Sequence, residues 1–168
     1  MRIFLIGFMG SGKTYWGRKL SEKLGIRFFD LDEQVEEQAG KSIVEIFDAD
    51  GEEKFRLLEK EVLHIITESH DSFVMACGGG SPCYFNNIDY MNRQGTTVWI
   101  NTPLDVIYQR LYDEMDKRPL IRKFTTDQLK NFIGRKFADR RIYYEQASVF
   151  IDQQPVELEH IIQKIFHA

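Results

Sequence analysis

The fold is decided by Gly7-Phe8-Met9-Gly10-Ser11-Gly12-Lys13-Thr14, which fits the phosphate-loop pattern G-x-x-x-x-G-K-[ST] at every position. A short apolar run at residues 3–6 precedes this motif and a helical pattern at residues 13–24 follows it, so strand, loop and helix are predicted in that order. The glycines let successive backbone N–H groups point at phosphate oxygens, and the helix N-terminus adds the positive end of its dipole. The pattern predicts that Lys13 reaches the outer phosphates and that the Thr14 hydroxyl binds Mg²⁺. The alternative, a glycine-rich turn that only connects strand to helix, would make the complete match a coincidence.

Outward from this motif, strand and helix patterns alternate to the end of the chain. Apolar runs predict five strands, at residues 3–6, 27–29, 72–76, 97–100 and 149–151. Helical patterns are found at residues 13–24, 32–48 with an interruption at Gly40, 51–69, 84–94, 103–112, 126–144 and 157–167. Strands that alternate with helices predict a parallel sheet covered on both faces. Because ligands of such sheets bind beyond the carboxyl ends of the strands, we expect the site in the loops that follow the first three strands.

The length and the charge of the chain limit its size class and its partners. A chain of 168 residues fits one domain that needs no disulfide to fold. Its 43% hydrophobic and 29% charged residues exclude a disordered chain, a collagen-like fibre and a disulfide scaffold. With 22 basic and 26 acidic residues the formal net charge is −4, so we expect no nucleic-acid partner and no membrane partner.

The cysteines and the apolar runs indicate the compartment. Cys77 and Cys83 lie six residues apart without a Cys or His cluster beside them, which predicts two reduced thiols and no zinc site. No apolar run approaches the ~20 residues that a membrane span needs. The N-terminal apolar stretch is interrupted by glycines and followed at once by Lys13, unlike a secretory signal peptide. We therefore expect a cytoplasmic protein.

The segment Asp30-Leu31-Asp32 places two carboxylates at the end of the second predicted strand. Our interpretation is that the two carboxylates of this extended segment point to opposite sides, so that one faces a metal and the other faces an acceptor. Phosphoryl transfer uses a carboxylate in each of these two places. The alternative is a helix N-cap followed by an acidic residue in the first turn.

Three further motifs carry a resemblance to a known family. They are Gly51-Glu52-x-x-Phe55-Arg56-x-x-Glu59, Gly78-Gly79-Gly80 and Arg118-Pro119-Leu120. Together with the phosphate loop and the Asp30-x-Asp32 pair upstream, they resemble the shikimate kinases, and the resemblance extends from Ile3 to the last helix. It implies an α/β, three-layer P-loop kinase fold of the nucleoside-monophosphate-kinase-like group, with a five-stranded parallel sheet in the order 2-3-1-4-5.

The resemblance also implies an organisation and a reaction. Residues 1–168 would form a single domain, with a helical substrate-binding region at about residues 32–60 and a mobile lid at about residues 112–124. The implied reaction moves the γ-phosphoryl group of ATP to the 3-hydroxyl of shikimate, giving shikimate 3-phosphate and ADP in the biosynthesis of chorismate and the aromatic amino acids. The implied co-substrate is ATP and the implied metal is Mg²⁺, and we expect a monomer.

Site residues are carried over by matching motif positions. The resemblance implies catalytic roles for Lys13, Asp32 and Arg118. It implies acceptor binding by Asp32, Arg56, Gly79 and Arg140, with the two arginines on the carboxylate and with Phe47, Phe55 and Glu59 as supporting positions. Nucleotide binding is implied for Gly10, Ser11, Gly12, Lys13, Thr14, Tyr15, Arg110, Arg118 and Gln154. The metal would be bound by Thr14, and by Asp30 through a water molecule.

Three positions depart from the family pattern. Tyr15 stands where the family has threonine or a small residue, and Gln154 where some members have an arginine beside adenine. The run Arg140-Arg141-Ile142-Tyr143-Tyr144 lacks the proline of the family motif, so Arg141 is an alternative to Arg140. Two other functions also stay open. One is a small-molecule kinase acting on gluconate or a nucleoside monophosphate, and the other is a nucleotide-binding module without catalytic activity.

Overall fold

Five parallel strands form one sheet in the computed structural model, which describes residues 1–167. The strands are β1 (Arg2–Ile6), β2 (Arg27–Asp30), β3 (Phe73–Ala76), β4 (Thr96–Ile100) and β5 (Val149–Ile151). They lie in the order β2-β3-β1-β4-β5, which confirms the predicted order. The central strand is β1, and its Leu5 lies opposite Ala76 of β3 on one side and Val98 of β4 on the other. Because Asp30 also lies opposite Ala76, the loops after β1, β2 and β3 begin at the same edge of the sheet.

Seven α-helices connect and cover the strands within residues 1–167. They are α1 (Lys13–Leu24), α2 (Leu31–Ala39), α3 (Ile43–Ser69), α4 (Asn87–Gln94), α5 (Leu104–Asp113), α6 (Thr126–Tyr144) and α7 (Leu158–Phe166). Short 3₁₀ helices occupy Ser81–Cys83 and Met115–Lys117. None of the helices in this described part of the chain is both long enough and apolar enough to cross a lipid bilayer.

The predicted interruption at Gly40 and the predicted helix start at Gly51 both correspond to breaks in the structure. Gly40 ends α2, and α3 begins after Ser42, whose hydroxyl accepts a hydrogen bond from the Glu45 N–H at 3.2 Å and caps the first turn. Gly51 has a non-helical φ of 85° and ψ of 170°, so α3 consists of two helical stretches that meet at a kink there. The helix expected at residues 84–94 begins only at Asn87, because the chain first forms the 3₁₀ helix that follows the glycine triplet.

The two faces of the sheet account for the apolar run that begins the chain. Ile3 and Leu5 pack in one buried cluster with Leu20 of α1 and with residues of α7. Phe4 and Ile6 pack in a second cluster with residues of α2, α3 and α4. Because side chains alternate along a strand and both faces are covered, every position of β1 after Arg2 is buried and apolar. The result is the predicted three-layer arrangement.

A third apolar cluster joins the phosphate loop to the segment at residues 112–124, called the lid segment below. Phe8 of the loop packs with Leu111 of α5, Ile133 of α6 and Ile121 of the lid segment, all of which are buried. The neighbouring Leu120 is 70% exposed. The lid segment is therefore anchored at one buried side chain beside the phosphate loop.

Two glycines provide a matched test of packing. A Cβ at Gly95, between α4 and β4, would overlap the backbone carbonyl oxygen of Arg2, whereas a Cβ at Gly134 in α6 would meet no atom within 4 Å. We expect Gly95→Ala to lower the free energy of unfolding by about 1–3 kcal/mol because a backbone atom cannot move aside cheaply. Gly134→Ala should raise it by about 0.5–1 kcal/mol, since alanine restricts the unfolded chain and favours the helix. Urea unfolding of both variants measures the difference, and equal midpoints would contradict this account of Gly95.

Candidate active site

The phosphate loop joins β1 to α1 and leaves an anion-binding helix end open. Gly10 and Gly12 have φ values of 78° and 97°, which side chains other than glycine rarely adopt. The loop is closed by a hydrogen bond from the Ser11 N–H to the Phe8 carbonyl at 3.1 Å. Thr102 fixes it from β4's side by donating its hydroxyl to the Ser11 carbonyl at 3.1 Å. Gly12 is the N-cap of α1 and has no side chain to cap it, so the first-turn N–H groups can meet an anion.

Lys13 lies folded back onto the loop. Its Nζ donates to the Gly7 carbonyl at 2.6 Å and to the Phe8 carbonyl at 3.0 Å. Desolvation of the half-buried ammonium lowers the pKa of Lys13 to about 8, although the carboxylate of Asp32 partly opposes this shift. Because its neighbours offset the cost of burial only in part, this ammonium is well suited to bind a phosphate group.

Asp30 and Asp32 line the same cleft as Lys13, but the prediction that both lie on an extended segment is wrong. Asp30 ends β2 and caps α2, accepting from the Glu33 N–H through Oδ1 at 3.3 Å. Because this cap starts the helix at Leu31, Asp32 lies in the first helical turn. The second oxygen of Asp30, Oδ2, accepts from the Thr14 hydroxyl at 3.1 Å. One carboxylate therefore serves both as a helix cap and as a partner of the phosphate-loop hydroxyl.

The ionised form of Asp32 is disfavoured by its surroundings. Burial first, and then the carboxylates of Glu59 and Asp30, raise the pKa of Asp32 to about 6, while the positive charges of Lys13 and Arg56 partly oppose this shift. The Cβ of an alanine at Gly78 would lie 2.9 Å from Asp32 Oδ1. Asp32 is thus held between the phosphate loop and the glycine triplet that follows β3.

Two arginines approach the glycine triplet from different helices. The guanidinium of Arg56 in α3 is buried, donates through Nη1 to Glu59 Oε1 at 3.1 Å, and lies 4.4 Å from the centroid of the Tyr84 ring. The guanidinium of Arg140 in α6 lies 5.6 Å from the centroid of the Phe8 ring. The glycine triplet lets the backbone approach these groups closely, since a Cβ at Gly80 would lie 2.5 Å from Arg56 Nη2.

Arg140 and Arg141 differ in their surroundings. Arg140 Nη1 is buried, lies 3.0 Å from where a Cβ of residue 79 would be, and has no hydrogen-bond partner among residues 1–167. Tyr144, one turn further along α6, donates its hydroxyl to the Gly79 carbonyl at 2.5 Å. Arg141 is exposed and donates to Glu145 at 2.6 Å. The structure therefore brings Arg140, and not Arg141, to the glycine triplet.

The other residues that are predicted to bind the nucleotide do not all lie in one cleft. A cleft of about 490 Å³ extends from the phosphate loop past Tyr15 and Arg110 to Arg118. Arg110 donates to the Gly10 carbonyl at 2.8 Å, and Arg118 donates through Nε and Nη2 to Glu114 Oε2 at 3.0 and 2.9 Å. Ser11 is buried and is not part of the cleft wall. Gln154 is exposed in the loop after β5 and is not part of the cleft wall.

The comparisons with known proteins agree on one family. The family model described as shikimate kinase matches residues 9–168. This chain belongs to the shikimate kinase family. A shikimate kinase from Azobacteroides pseudotrichonymphae is 37% identical over 164 residues, which are 98% of this chain and 96% of that protein.

Solved structures of the family have the same fold. The crystal structure of the shikimate kinase from Bacteroides thetaiotaomicron has a TM-score of 0.89 and 35% identity, and covers 100% of this chain and 99% of its own. A shikimate kinase from Acinetobacter baumannii, in complex with shikimate, has a TM-score of 0.85 and 33% identity over 99% of this chain and 90% of its own. The chain is therefore an ATP-dependent kinase of a small molecule, and the gluconate, nucleotide and non-catalytic alternatives are not favoured.

Three side chains beside the site have contacts that the sequence does not predict. Ser81 bonds to Glu59, Glu114 holds Arg118, and the Trp16 ring lies against Gly12. The i,i+4 spacing of Glu114 and Arg118 was a usable signal, since such pairs meet on one side of a helical turn. Ser81 and Glu59 are 22 residues apart and no sequence period connects them.

The two cysteines are free thiols, as predicted. Burial raises the pKa of Cys83 to about 11, and it raises the pKa of Cys77 further still. Both thiols are therefore protonated at neutral pH and are poor nucleophiles.

The buried charge of Asp32 predicts a pH-dependent gain in stability for Asp32→Asn. The pKa of the Asp32 carboxyl is 3.8 in the unfolded chain and about 6 in the folded chain, so the folded chain binds this proton more tightly. The free energy of unfolding of the wild type therefore falls as the pH rises from 3.8 through about 6. Asparagine cannot ionise, and we expect the variant to be more stable by roughly 3 kcal/mol at pH 8 but by only about 1 kcal/mol at pH 4.5. Urea unfolding at both pH values measures this, with the exposed Asp116→Asn as control. A gain of equal size at both pH values would contradict the assignment.

Proposed function

We propose that this chain transfers the γ-phosphoryl group of ATP to the 3-hydroxyl of shikimate, and releases shikimate 3-phosphate and ADP. One observation carries the proposal: Arg56 and Arg140 flank the glycine triplet where it adjoins the phosphate-loop cleft. A site for a carboxylate is therefore continuous with a site for phosphates. Membership of the family and the relative solved with shikimate support this choice of acceptor.

The acceptor is held at both ends in this proposal. Arg56 and Arg140 bind its carboxylate, because guanidinium groups form paired hydrogen bonds with carboxylate oxygens. The orphaned Arg140 Nη1 supports this role, since a buried donor without a partner is costly unless a ligand satisfies it. The backbone N–H of Gly79 and the carboxylate of Asp32 bind hydroxyl groups at the other end. This orientation points one hydroxyl at the nucleotide.

The chemical step depends on position and charge. Phosphoryl transfer passes through a loose transition state, so catalysis comes from alignment and from neutralising the phosphoryl oxygens. Lys13 and Arg118 supply positive charge to those oxygens. Asp32 orients the attacking hydroxyl and takes up its proton at a carboxylate oxygen. A carboxylate with a pKa of about 6 can hold that proton transiently.

The nucleotide lies along the phosphate loop. The backbone N–H groups of Gly10, Gly12 and Tyr15 face its phosphates, and Arg110 borders its base. The Ser11 N–H is used inside the loop, where it donates to the Phe8 carbonyl, so Ser11 supports the loop conformation. Gln154 is left out of this proposed site because it is exposed and outside the cleft wall.

A magnesium ion fits the donors beside Lys13. The Thr14 hydroxyl and Asp30 Oδ2 are 3.1 Å apart in the cleft, and Mg²⁺ prefers such oxygen ligands while retaining several waters. We propose that Thr14 binds the ion directly and that Asp30 binds it through water. Mg²⁺ supplies, when bound, neutralisation of the charge on the nucleotide phosphates.

The proposal extends to the organisation of the protein. Residues 1–168 act as one domain, with substrate binding at about residues 32–60 and a lid at about residues 112–124 that moves to exclude water. All the proposed site residues belong to one chain, which supports a monomer. The net charge of −4 favours neither nucleic acid nor a membrane as partner, and two free thiols with ATP as co-substrate are typical of the cytoplasm.

The function is tested by measuring ADP release from Mg²⁺ and ATP with shikimate, gluconate, AMP or no acceptor. We expect fast turnover with shikimate and only background release in the other three reactions. The product with shikimate should be its 3-phosphate by ³¹P and ¹H NMR. Equal release with and without acceptor would indicate an ATPase, and turnover with gluconate or AMP alone would overturn the choice of acceptor.

Variants of the two adjacent arginines of α6 distinguish specific carboxylate binding from a general effect of positive charge. We expect Arg140→Lys to raise the KM for shikimate about ten-fold or more, because lysine cannot replace a paired guanidinium contact. The KM for ATP should change little. Arg141→Lys is the matched control, since Arg141 pairs with Glu145 on the surface, and its kinetics should resemble the wild type. The reverse ranking of the two variants would assign the carboxylate to Arg141.

A further inference from the structure

A buried chain of polar groups extends from Arg56 away from the proposed acceptor site. Glu59 is fully buried and both of its oxygens are bonded. Oε1 accepts from Arg56 Nη1 at 3.1 Å, and Oε2 accepts from the Ser81 hydroxyl at 2.7 Å. The Ser81 carbonyl in turn accepts from Asn87 Nδ2 at 2.9 Å. These hydrogen bonds therefore link α3 to the start of α4 through the turn that follows the glycine triplet.

Glu59 has to be held in one orientation for two reasons. A buried carboxylate that loses a hydrogen bond pays the desolvation of that oxygen, so it rotates toward another donor if one bond is removed. Rotation of Glu59 would carry Arg56 with it, because the two are joined by a charged hydrogen bond on the same helix. The 2.7 Å bond from Ser81 fixes the oxygen that Arg56 does not use.

Ser81 is itself fixed by the backbone around it. Its N–H donates to the Gly78 carbonyl at 3.0 Å, and both Ser81 and Asn87 are completely buried. A Cβ at Gly78 would lie 3.1 Å from the Ser81 hydroxyl oxygen and 3.4 Å from Glu59 Oε2, so the absence of a side chain there permits the contact. Ser81 is thus packed behind Glu59 and is not part of the cleft wall.

We propose that Ser81 is a positioning residue for the acceptor, acting through Glu59 to hold the Arg56 guanidinium toward the carboxylate. This inference rests on the proposed function, because it takes Arg56 to be a carboxylate ligand. Ser81 touches neither substrate, so its effect falls on acceptor affinity and not on nucleotide affinity.

The first experiment compares Ser81→Ala with wild type in steady-state kinetics. We expect the KM for shikimate to rise about ten-fold, because a charge-assisted buried bond is lost, while kcat and the KM for ATP stay within two-fold. The matched control is Thr67→Val, which removes a fully buried hydroxyl that donates to the Leu63 carbonyl at 2.7 Å on the same helix. It should leave the KM for shikimate unchanged. Equal changes in the two KM values, or a rise in the control of the same size, would overturn the proposal.

The second experiment tests the route through Arg56. In an Arg56→Lys background, adding Ser81→Ala should change the KM for shikimate by less than two-fold, since the group that Ser81 positions is already altered. A full ten-fold effect in that background would overturn the proposal. If Ser81→Ala does not fold, Ser81→Cys replaces the hydroxyl with a weaker donor, and the same two comparisons are made with it.

The two proposals fail in different ways. A wild-type chain that does not phosphorylate shikimate contradicts the proposed function. A wild-type chain that does so, with a Ser81→Ala variant of unchanged KM, contradicts the positioning role of Ser81 alone.

Discussion

Charge is buried at the carboxyl edge of the sheet, and the rest of the site depends on how that charge is balanced. Asp32 and Glu59 both lie against Gly78, and the nearby cations are Lys13 for Asp32 and Arg56 for Glu59. None of these groups has bulk water as its main partner, so each is stabilised by an opposite charge, a backbone carbonyl or a hydroxyl. Burial lowers the pKa of Lys13 to about 8 and raises the pKa of Asp32 to about 6, so neighbouring charges offset the cost of burial only in part. In the proposed function, a phosphate beside Lys13 and a carboxylate beside Arg56 and Arg140 add negative charge next to these cations.

Much of this arrangement is readable in the sequence because it depends on local constraints. The phosphate loop needs glycine at positions of positive φ, and β1 needs apolar side chains on both faces, so both leave strong patterns. The predicted position of Asp32 is wrong because Asp30 ends a strand and also caps a helix. The cap starts α2 at Leu31, so Asp32 is helical and not extended. The break at Gly51 does leave a local signal, since a glycine with a positive φ interrupts the helical pattern on either side of it.

Contacts between distant segments account for what the sequence does not reveal. The bond from Ser81 to Glu59 and the approach of Arg140 to Gly79 depend on how α3, α6 and the loop after β3 pack together. Polar side chains in such contacts have no period, and serine is equally common in turns and caps. The choice between Arg140 and Arg141 is similar: adjacent residues on a helix point about 100° apart, and only the packing of α6 determines which of them faces the glycine triplet.

A second pair of opposite charges, which the net charge of −4 does not reveal, lies at the mouth of the cleft. Arg118 is held there by Glu114 through two hydrogen bonds to one carboxylate oxygen, and both side chains line the cleft. In the proposed complex the anionic oxygens of the nucleotide share this space, so they compete with Glu114 for Arg118. Exposed ion pairs of this kind contribute about 0–1 kcal/mol, which is small beside the interaction of a guanidinium with several phosphate charges. Glu114 can therefore keep Arg118 ordered in the absence of ATP and still yield it when ATP binds, and an acidic residue beside a polyanion site is compatible with binding for that reason.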